Sequence, residues 1–99
     1  MFIINITYTS NLEQIDAIIE EHIKFLNEQY ELGNFIVSGR KVPRTGGIIL
    51  SNIDNKTELE KIIENDPFKI NHLANYEIIE FIPSKTSEAL RFLLEKSNS

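Results

Sequence analysis

The order of strand-like and helix-like patterns along the chain constrains its fold more than any other feature. Short runs of β-branched and aromatic residues, typical of strands, alternate with segments whose apolar residues recur every three or four positions, typical of helices. The predicted elements are a strand over 2–8, a helix that a capping box opens at Ser10 and Gly33 closes, strands over 34–40 and 46–50, a helix over 57–64, a strand over 76–82 and a short helix over 86–96. The β-α-β-β-α-β order, followed by a terminal helix, predicts a ferredoxin-like α+β fold, with an antiparallel sheet and both long helices on one face.

Two patterns predict which side chains face the core. The first helix carries a stripe at helical spacing, made of Leu12, Ile15, Ile19, Ile23, Leu26 and Tyr30. In the second strand, alternation predicts that Phe35 and Val37 share one face while Ile36 and Ser38 share the other. The third and fourth strands are apolar on both faces, although helices cover one face only. We therefore expect the uncovered face to meet a second copy of the chain in a homodimer, the alternative being a monomer in which the terminal helix covers it.

Length and composition exclude several classes of protein. With 99 residues, the chain is expected to be one domain, spanning 1–99. It has no cysteine, so neither a disulfide framework nor a thiolate metal site can form. The net charge of −5 argues against nucleic acid as a partner. The first apolar run is too short for a membrane span or a signal peptide, and a cytoplasmic protein is expected.

The segment Asn65-Asp66-Pro67-Phe68 fixes a carboxylate in space. Proline disfavours helical geometry at the preceding residue, so the second helix must end here with Asp66 extended. Phe68, Ile70 and Leu73 follow and can attach the segment to the core. His22 lies in the middle of the first helix, in line with its apolar face, and a His–Asp pair is the functional hypothesis. The alternatives are an imidazole bonded to a backbone carbonyl and a carboxylate that caps backbone N–H groups.

The other candidates have a structural and a functional interpretation too. Ser38 is either a strand-end hydroxyl bonded to backbone or a donor to a substrate oxygen. Arg40, Lys41 and Arg44 are either a solvated loop or a cluster that attracts an anionic substrate. Gly46-Gly47 suits hairpin geometry rather than a phosphate loop. His72 fits no metal-ligand spacing, and neither a metal nor a cofactor is expected.

Four motifs together resemble the YCII-related domain family. They are His22-Ile23-Lys24-Phe25-Leu26, Val37-Ser38-Gly39, Gly46-Gly47 and Asn65-Asp66-Pro67-Phe68. The resemblance implies a dimeric α+β barrel with a His–Asp site at His22 and Asp66 and with Ser38 nearby. It also implies lyase-like or isomerase-like chemistry on small ligands, such as an anionic aromatic or lactone acid. The chain departs from the family pattern at Arg40, where a proline usually follows the Ser-Gly pair, and at Ala17-Ile18-Ile19, where an arginine often stands.

Two classes of function follow from these features. The first is a cofactor-free enzyme in which His22 moves a proton. The second is a non-catalytic module that binds a small ligand or a partner with the same fold. An enzyme requires a pocket at His22 with Asp66 within hydrogen-bond reach, whereas a module is compatible with a filled core at that position.

Overall fold

The strands form one four-stranded antiparallel sheet in the order β2-β3-β1-β4. The computed structural model describes residues 1–97. Its elements are β1 (Phe2–Tyr8), α1 (Leu12–Glu31), β2 (Phe35–Arg40), β3 (Gly46–Ser51), α2 (Lys56–Ile63), α3 (Pro67–Ile70), β4 (Ala74–Glu80), a 3-10 turn (Glu88–Leu90) and α4 (Phe92–Ser97). This arrangement confirms the predicted ferredoxin-like α+β fold.

The main core lies between one face of the sheet and the two long helices. Phe2, Ile4 and Ile6 of the central strand β1 are at most 2% exposed and form one cluster with Phe25 of α1 and Leu59 of α2. Each such side chain stabilises the fold by roughly 1.5–3 kcal/mol on burial. Both helices therefore cover the same face, as predicted. Within residues 1–97, no helix is long and apolar enough to cross a membrane.

The ends of α1 show one error in the sequence prediction and one success. The N-cap is Asn11 rather than Ser10, because the extended Asn11 accepts the backbone N–H of Gln14 at 2.9 Å. Both side chains are good caps, so the sequence alone did not separate them. Gly33 lies just past the helix with φ +77°, the left-handed geometry expected there.

The predicted apolar stripe of α1 is only partly buried. Leu12, Ile23 and Tyr30 are 43%, 47% and 36% exposed. The residues of α1 that are buried are Ile15, His22, Phe25 and Gln29. The helix is turned so that one flank of its apolar stripe lines a pocket instead of the core. A sequence pattern cannot distinguish these two apolar environments.

A β-bulge in β2 overturns the predicted alternation of that strand. Phe35 pairs with Ser51 and Val37 pairs with Leu50, which leaves Ile36 as the extra residue. Phe35 is 4% exposed on the helix side, whereas Val37 is 55% exposed on the opposite side, so the prediction that they share a face was wrong. Beyond the bulge, the partners of Ile49 and Gly47 in β3 are Ser38 and Arg40. Because directly paired residues share a face, both side chains face the helices.

The remaining differences lie in the fourth strand and the terminal helix. The strand predicted over 76–82 is β4, which starts and ends two residues earlier. The helix predicted over 86–96 is divided into a 3-10 turn and α4, with Leu93 buried and Leu90 40% exposed. Fraying was predicted for 97–99, of which residues 98 and 99 lie outside the described part of the chain.

The face of the sheet away from α1 and α2 carries exposed apolar side chains, as the doubly apolar strands predicted. Val37, Ile48 and Ile79 are 55%, 40% and 44% exposed there. Ile3 and Leu50 pair across β1 and β3 on the same face. These five residues are called the open face below.

Candidate functional site

Asp66 occupies the junction between α2 and α3. It is extended, with φ −69° and ψ 124°, and Pro67 starts the short helix α3, which the sequence analysis did not predict. The Asp66 carboxylate caps that helix, because its Oδ1 accepts the backbone N–H of Phe68 at 3.1 Å. Phe68 and Leu73 are buried as predicted, but Ile70 is 57% exposed and does not attach the segment to the core.

His22, on α1, contacts Asp66 at this junction. Its Nδ1 lies 2.8 Å from Oδ1 of Asp66, and the side chains are 11% and 1% exposed. A carboxylate can only accept, so Nδ1 is the donor and the neutral ring keeps its lone pair on Nε2. The predicted contact between the two residues is therefore present, and it joins positions 44 residues apart in the sequence.

The Asp66 carboxylate is held by a third donor that the sequence analysis missed. The hydroxyl of Tyr76 on β4 donates to Oδ2 at 2.6 Å. With the donors from His22 and Phe68 on Oδ1, both oxygens of this buried group are satisfied, as a buried charge requires. Burial, followed by the negative charge of Asp66 and the hydrogen bond to it, raises the pKa of Tyr76 far above its usual value.

A pocket of about 280 Å³ lies beside His22, between α1 and the strands β1, β2 and β3. Its apolar wall on α1 is formed by Ile19, Ile23 and Leu26. The polar and charged side chains that line it are those of Tyr8, His22, Ser38 and Arg40. The space therefore combines an apolar wall, an imidazole, two hydroxyls and a guanidinium.

Two glycines allow the strands beneath the pocket to approach closely. A Cβ at Gly46 would lie 1.8 Å from the carbonyl oxygen of Ile6, so no side chain fits at that position. Gly47 pairs with Arg40 and Ile6, and its missing side chain leaves room on the helix side of the sheet. This agrees with the prediction that the pair serves backbone geometry.

The predicted polar candidates separate into two locations. Ser38 lines the pocket, and its Oγ lies 2.6 Å from the hydroxyl oxygen of Tyr30 rather than on backbone. Arg40 lines the same pocket. Arg44 is not among the pocket residues and instead forms an ion pair with Asp16 of α1, whose pKa is lowered chiefly by this hydrogen bond.

His72 lies apart from the His–Asp pair. It has φ +55° and lines a different, polar surface pocket together with Glu64 and Lys69. Among residues 1–97, no group of three or more His, Asp or Glu side chains is arranged to hold a metal ion.

Two residues of the site could not be found from the sequence, Tyr8 and Tyr76. Tyr8 belongs to the face of β1 that faces the helices, but nothing in its spacing relates it to His22. Tyr76 was placed in a predicted strand, and its contact with Asp66 depends on how β4 lies beside α3. The one feature of the sequence that could have identified them is a tyrosine at an inward-facing strand position, because a buried hydroxyl needs a hydrogen-bond partner.

Comparison with known proteins identifies a family for this chain and a solved structure with a similar fold. The family model of the YCII-related domain matches residues 1–82. The structure is similar to that of 5-chloro-2-hydroxyhydroquinone dehydrochlorinase from Burkholderia phenoliruptrix in complex with 2,5-dihydroxybenzoquinone, with a TM-score of 0.70, 18% identity, and coverage of 81% of this chain and 91% of that one. At this identity, the similarity shows the fold alone. No curated protein matches the sequence.

Proposed function

Because the chain belongs to the YCII-related domain family, we propose that it is a small-molecule enzyme that needs no cofactor and acts as a lyase or an isomerase. His22 is its general acid and base, and Asp66 orients that imidazole. The observation that carries the proposal is the 2.8 Å contact between His22 Nδ1 and Asp66 Oδ1 at the wall of a pocket. A filled core around His22 would have favoured the non-catalytic module instead.

The geometry supports a proton-transfer mechanism. With Nδ1–H donated to Asp66, Nε2 of His22 can take a proton from a carbon or oxygen atom of a ligand in the pocket. The imidazolium that forms is stabilised by the adjacent carboxylate. It then returns the proton, either to another atom of the same molecule in an isomerisation or to a leaving group in an elimination. General acid–base catalysis of this kind contributes about 10²–10⁴ in rate.

The composition of the pocket wall supports a small anionic ring compound as the substrate. Ile19, Ile23 and Leu26 offer an apolar surface for a ring. Arg40 supplies a charge for a carboxylate or phenolate, and Ser38 supplies a hydroxyl. The similar fold of the dehydrochlorinase, which was solved with a dihydroxybenzoquinone, is consistent with a ligand of this size. Arg44 stays a predicted substrate-binding residue, for which its ion pair with Asp16 offers no support.

The open face supports a homodimer, and we propose that the protein acts as one in the cytoplasm, with the whole chain forming a single domain. Five apolar side chains lie together on this face of the sheet, and three of them are at least 40% exposed. Pairing with the same face of a second copy would remove them from water.

A binding and turnover screen tests the proposal. We would incubate small aromatic and lactone acids with the wild type and with His22→Ala, Arg40→Gln and Arg91→Gln. Thermal shift reports binding, since a ligand at a hundred times its Kd stabilises by about 2.7 kcal/mol. NMR of each mixture reports conversion of the ligand.

We expect at least one acid to bind the wild type and to be converted. Arg40→Gln should weaken its binding about tenfold, because one charge-assisted contact is lost. Arg91→Gln is the matched control, since Arg91 lies in the terminal segment, paired with Glu88. His22→Ala should abolish conversion. Binding without conversion by the wild type would identify a ligand-binding module and reject the enzyme.

A further inference from the structure

The Tyr76 hydroxyl completes the set of hydrogen-bond donors around the Asp66 carboxylate. It donates to Oδ2 of Asp66 at 2.6 Å, while Oδ1 accepts from His22 and from the backbone of Phe68. The three donors come from three different elements: α1, α3 and β4. Asp66 itself is 1% exposed, so no competing water is expected at its oxygens.

The two oxygens of the Asp66 carboxylate accept hydrogen bonds from different donors, and this fixes the group in two ways. The two donors on Oδ1 fix one atom, but a carboxylate held by one oxygen can still rotate about its Cβ–Cγ bond. The Tyr76 hydroxyl holds the other oxygen and so fixes the plane of the group. Without it, Oδ2 would be a buried charged atom that has lost its donor, and the carboxylate would be driven to turn toward another one.

Tyr76 can fill this role at any physiological pH. Its burial and the neighbouring negative charge of Asp66 disfavour the phenolate, so the hydroxyl keeps its proton and remains a donor. Tyr8 is the other titratable group that acts on Tyr76, and it disfavours the phenolate as well. Lys69 lies over the Tyr76 ring, with Nζ 5.4 Å from its centroid, and has its own ion partner in Glu64.

We infer that Tyr76 is a positioning residue of the His–Asp pair: its hydroxyl locks the orientation of the Asp66 carboxylate, and through it the ring of His22. The catalytic meaning of this inference rests on the proposed function, but its test does not require a substrate. The competing explanation is that Tyr76 only fills space, since it packs against the main core and against a second buried cluster formed by Ile15, Phe68 and Leu73.

Tyr76→Phe separates these explanations, because it keeps the ring and removes only the donor. The measurement is the exchange rate with water of two protons, the Nδ1 proton of His22 and the backbone N–H of Phe68, both of which are bound to Oδ1 of Asp66. The backbone N–H of Ile4, in the central strand β1, reports global unfolding in the same sample. Tyr30→Phe is the matched control, because it removes a hydroxyl contact of equal length, 2.6 Å, to Ser38 instead of Asp66.

We expect both reporter protons to exchange about tenfold faster in Tyr76→Phe after correction for the change at Ile4, which corresponds to ~1.4 kcal/mol. The same rates should be unchanged in Tyr30→Phe. In an Asp66→Ala background, where neither oxygen is present, Tyr76→Phe should add nothing further to the exchange of His22. If the reporter protons change only in proportion to Ile4, the role of Tyr76 is structural and the inference is overturned.

A second measurement tests the same inference without replacing Tyr76. It can therefore be made even if Tyr76→Phe does not fold. Asp66→Asn replaces the charged acceptor of the Tyr76 hydroxyl with a neutral amide, so the hydroxyl proton should exchange with water about tenfold faster than in the wild type. NMR at neutral pH measures this exchange, with the backbone N–H of Ile4 as the reporter of global unfolding. An unchanged rate relative to Ile4 would show that the hydroxyl is not held by the carboxylate, which also overturns the inference. Neither result depends on whether any substrate is converted.

Discussion

The imidazole of His22 lies flat on the ring of Phe68, with centroids 4.1 Å apart and planes inclined by 14°. Asp66, which binds the edge of the same imidazole, precedes Phe68 by two residues. A short turn thus holds one ring both by its edge and by its face. The orientation of the proposed general base therefore depends on the local conformation at Pro67 rather than on distant elements alone.

Replacing Phe68 tests the contribution of the stacked ring. Phe68→Leu should lower the free energy of unfolding by about 1–2 kcal/mol, since it removes a stacked pair and leaves a gap in a 1% exposed site. Urea denaturation measures this. Ile70→Ala is the control on the same short helix: its side chain is 57% exposed, so a change within about 0.5 kcal/mol is expected. Equal losses in both variants would contradict the account.

Pro67→Ala tests how the turn holds Asp66. The substitution relaxes the restriction on Asp66 and gives the unfolded chain more freedom, so a loss of about 0.4–1 kcal/mol is expected. The backbone N–H of Phe68, which is bound to Asp66 Oδ1, should exchange faster with water. A large loss of stability with an unchanged exchange rate at Phe68 would show that Pro67 acts on packing instead.

Gly46→Ala and Gly39→Ala form a matched pair on neighbouring strands. A Cβ at Gly46 would lie 1.8 Å from the Ile6 carbonyl oxygen, whereas nothing lies within 4 Å of a Cβ at Gly39. We expect Gly46→Ala to destabilise by at least about 2 kcal/mol, because β1 and β3 must separate, and Gly39→Ala to change stability by less than about 1 kcal/mol. Chemical denaturation of the two variants decides the point. Similar effects would mean that the strands are farther apart than described.

The raised pKa of Tyr76 predicts a pH dependence of stability. The group is neutral in the folded protein and ionises in the unfolded chain at about pH 10, so its contribution is fully present below that pH. As pH rises above about 10, towards the higher folded pKa, the contribution is lost by up to about 1.4 kcal/mol per pH unit. Tyr76→Phe should lack this part of the alkaline decline, as measured by urea denaturation between pH 9 and 11. Parallel curves for the two proteins would refute the prediction.

The proposed homodimer predicts the mass of the protein in solution and a position, Ile79, at which a substitution should disrupt the dimer. Sedimentation at micromolar concentration should give about twice the chain mass of 11.4 kDa. Ile79→Lys places a charge on the open face and should shift the protein to the monomer, because a buried unpaired charge disfavours association. Leu32→Lys, at a site 69% exposed beyond the end of α1, should leave the mass unchanged. A monomeric wild type would reject the proposed dimer.

The fold was predictable because each element has its own local signal. Strand runs, helix periodicity and the helix-ending Pro67 together determine the element order, and the element order largely determines the topology. The positions of His22 on a helix and Asp66 on a rigid turn allowed a contact between them but left the alternatives open, and it was the resemblance to the family motifs that favoured the pair.

The details of the pocket could not be predicted because they depend on contacts between distant segments. The bulge at Ile36 cannot be recognised in the sequence of β2, because its pattern of residues is also that of a regular strand. The exposure of Ile23 depends on a pocket that forms only when Gly47 and Arg40 are paired beneath α1. The bond from Tyr76 to Asp66 depends on how β4 and α3 pack together, which no local pattern encodes.

The bulge in β2 has a consequence for how this protein can change by mutation. Beyond Ile36, the inward or outward direction of each side chain depends only on counting residues, so loss of the single codon for Gly39 would shift Arg40 by one position. Its guanidinium would then leave the pocket and appear among the apolar residues on the opposite side of the sheet. One genetic event would therefore change both the proposed ligand pocket and the face through which we propose that the chain dimerises.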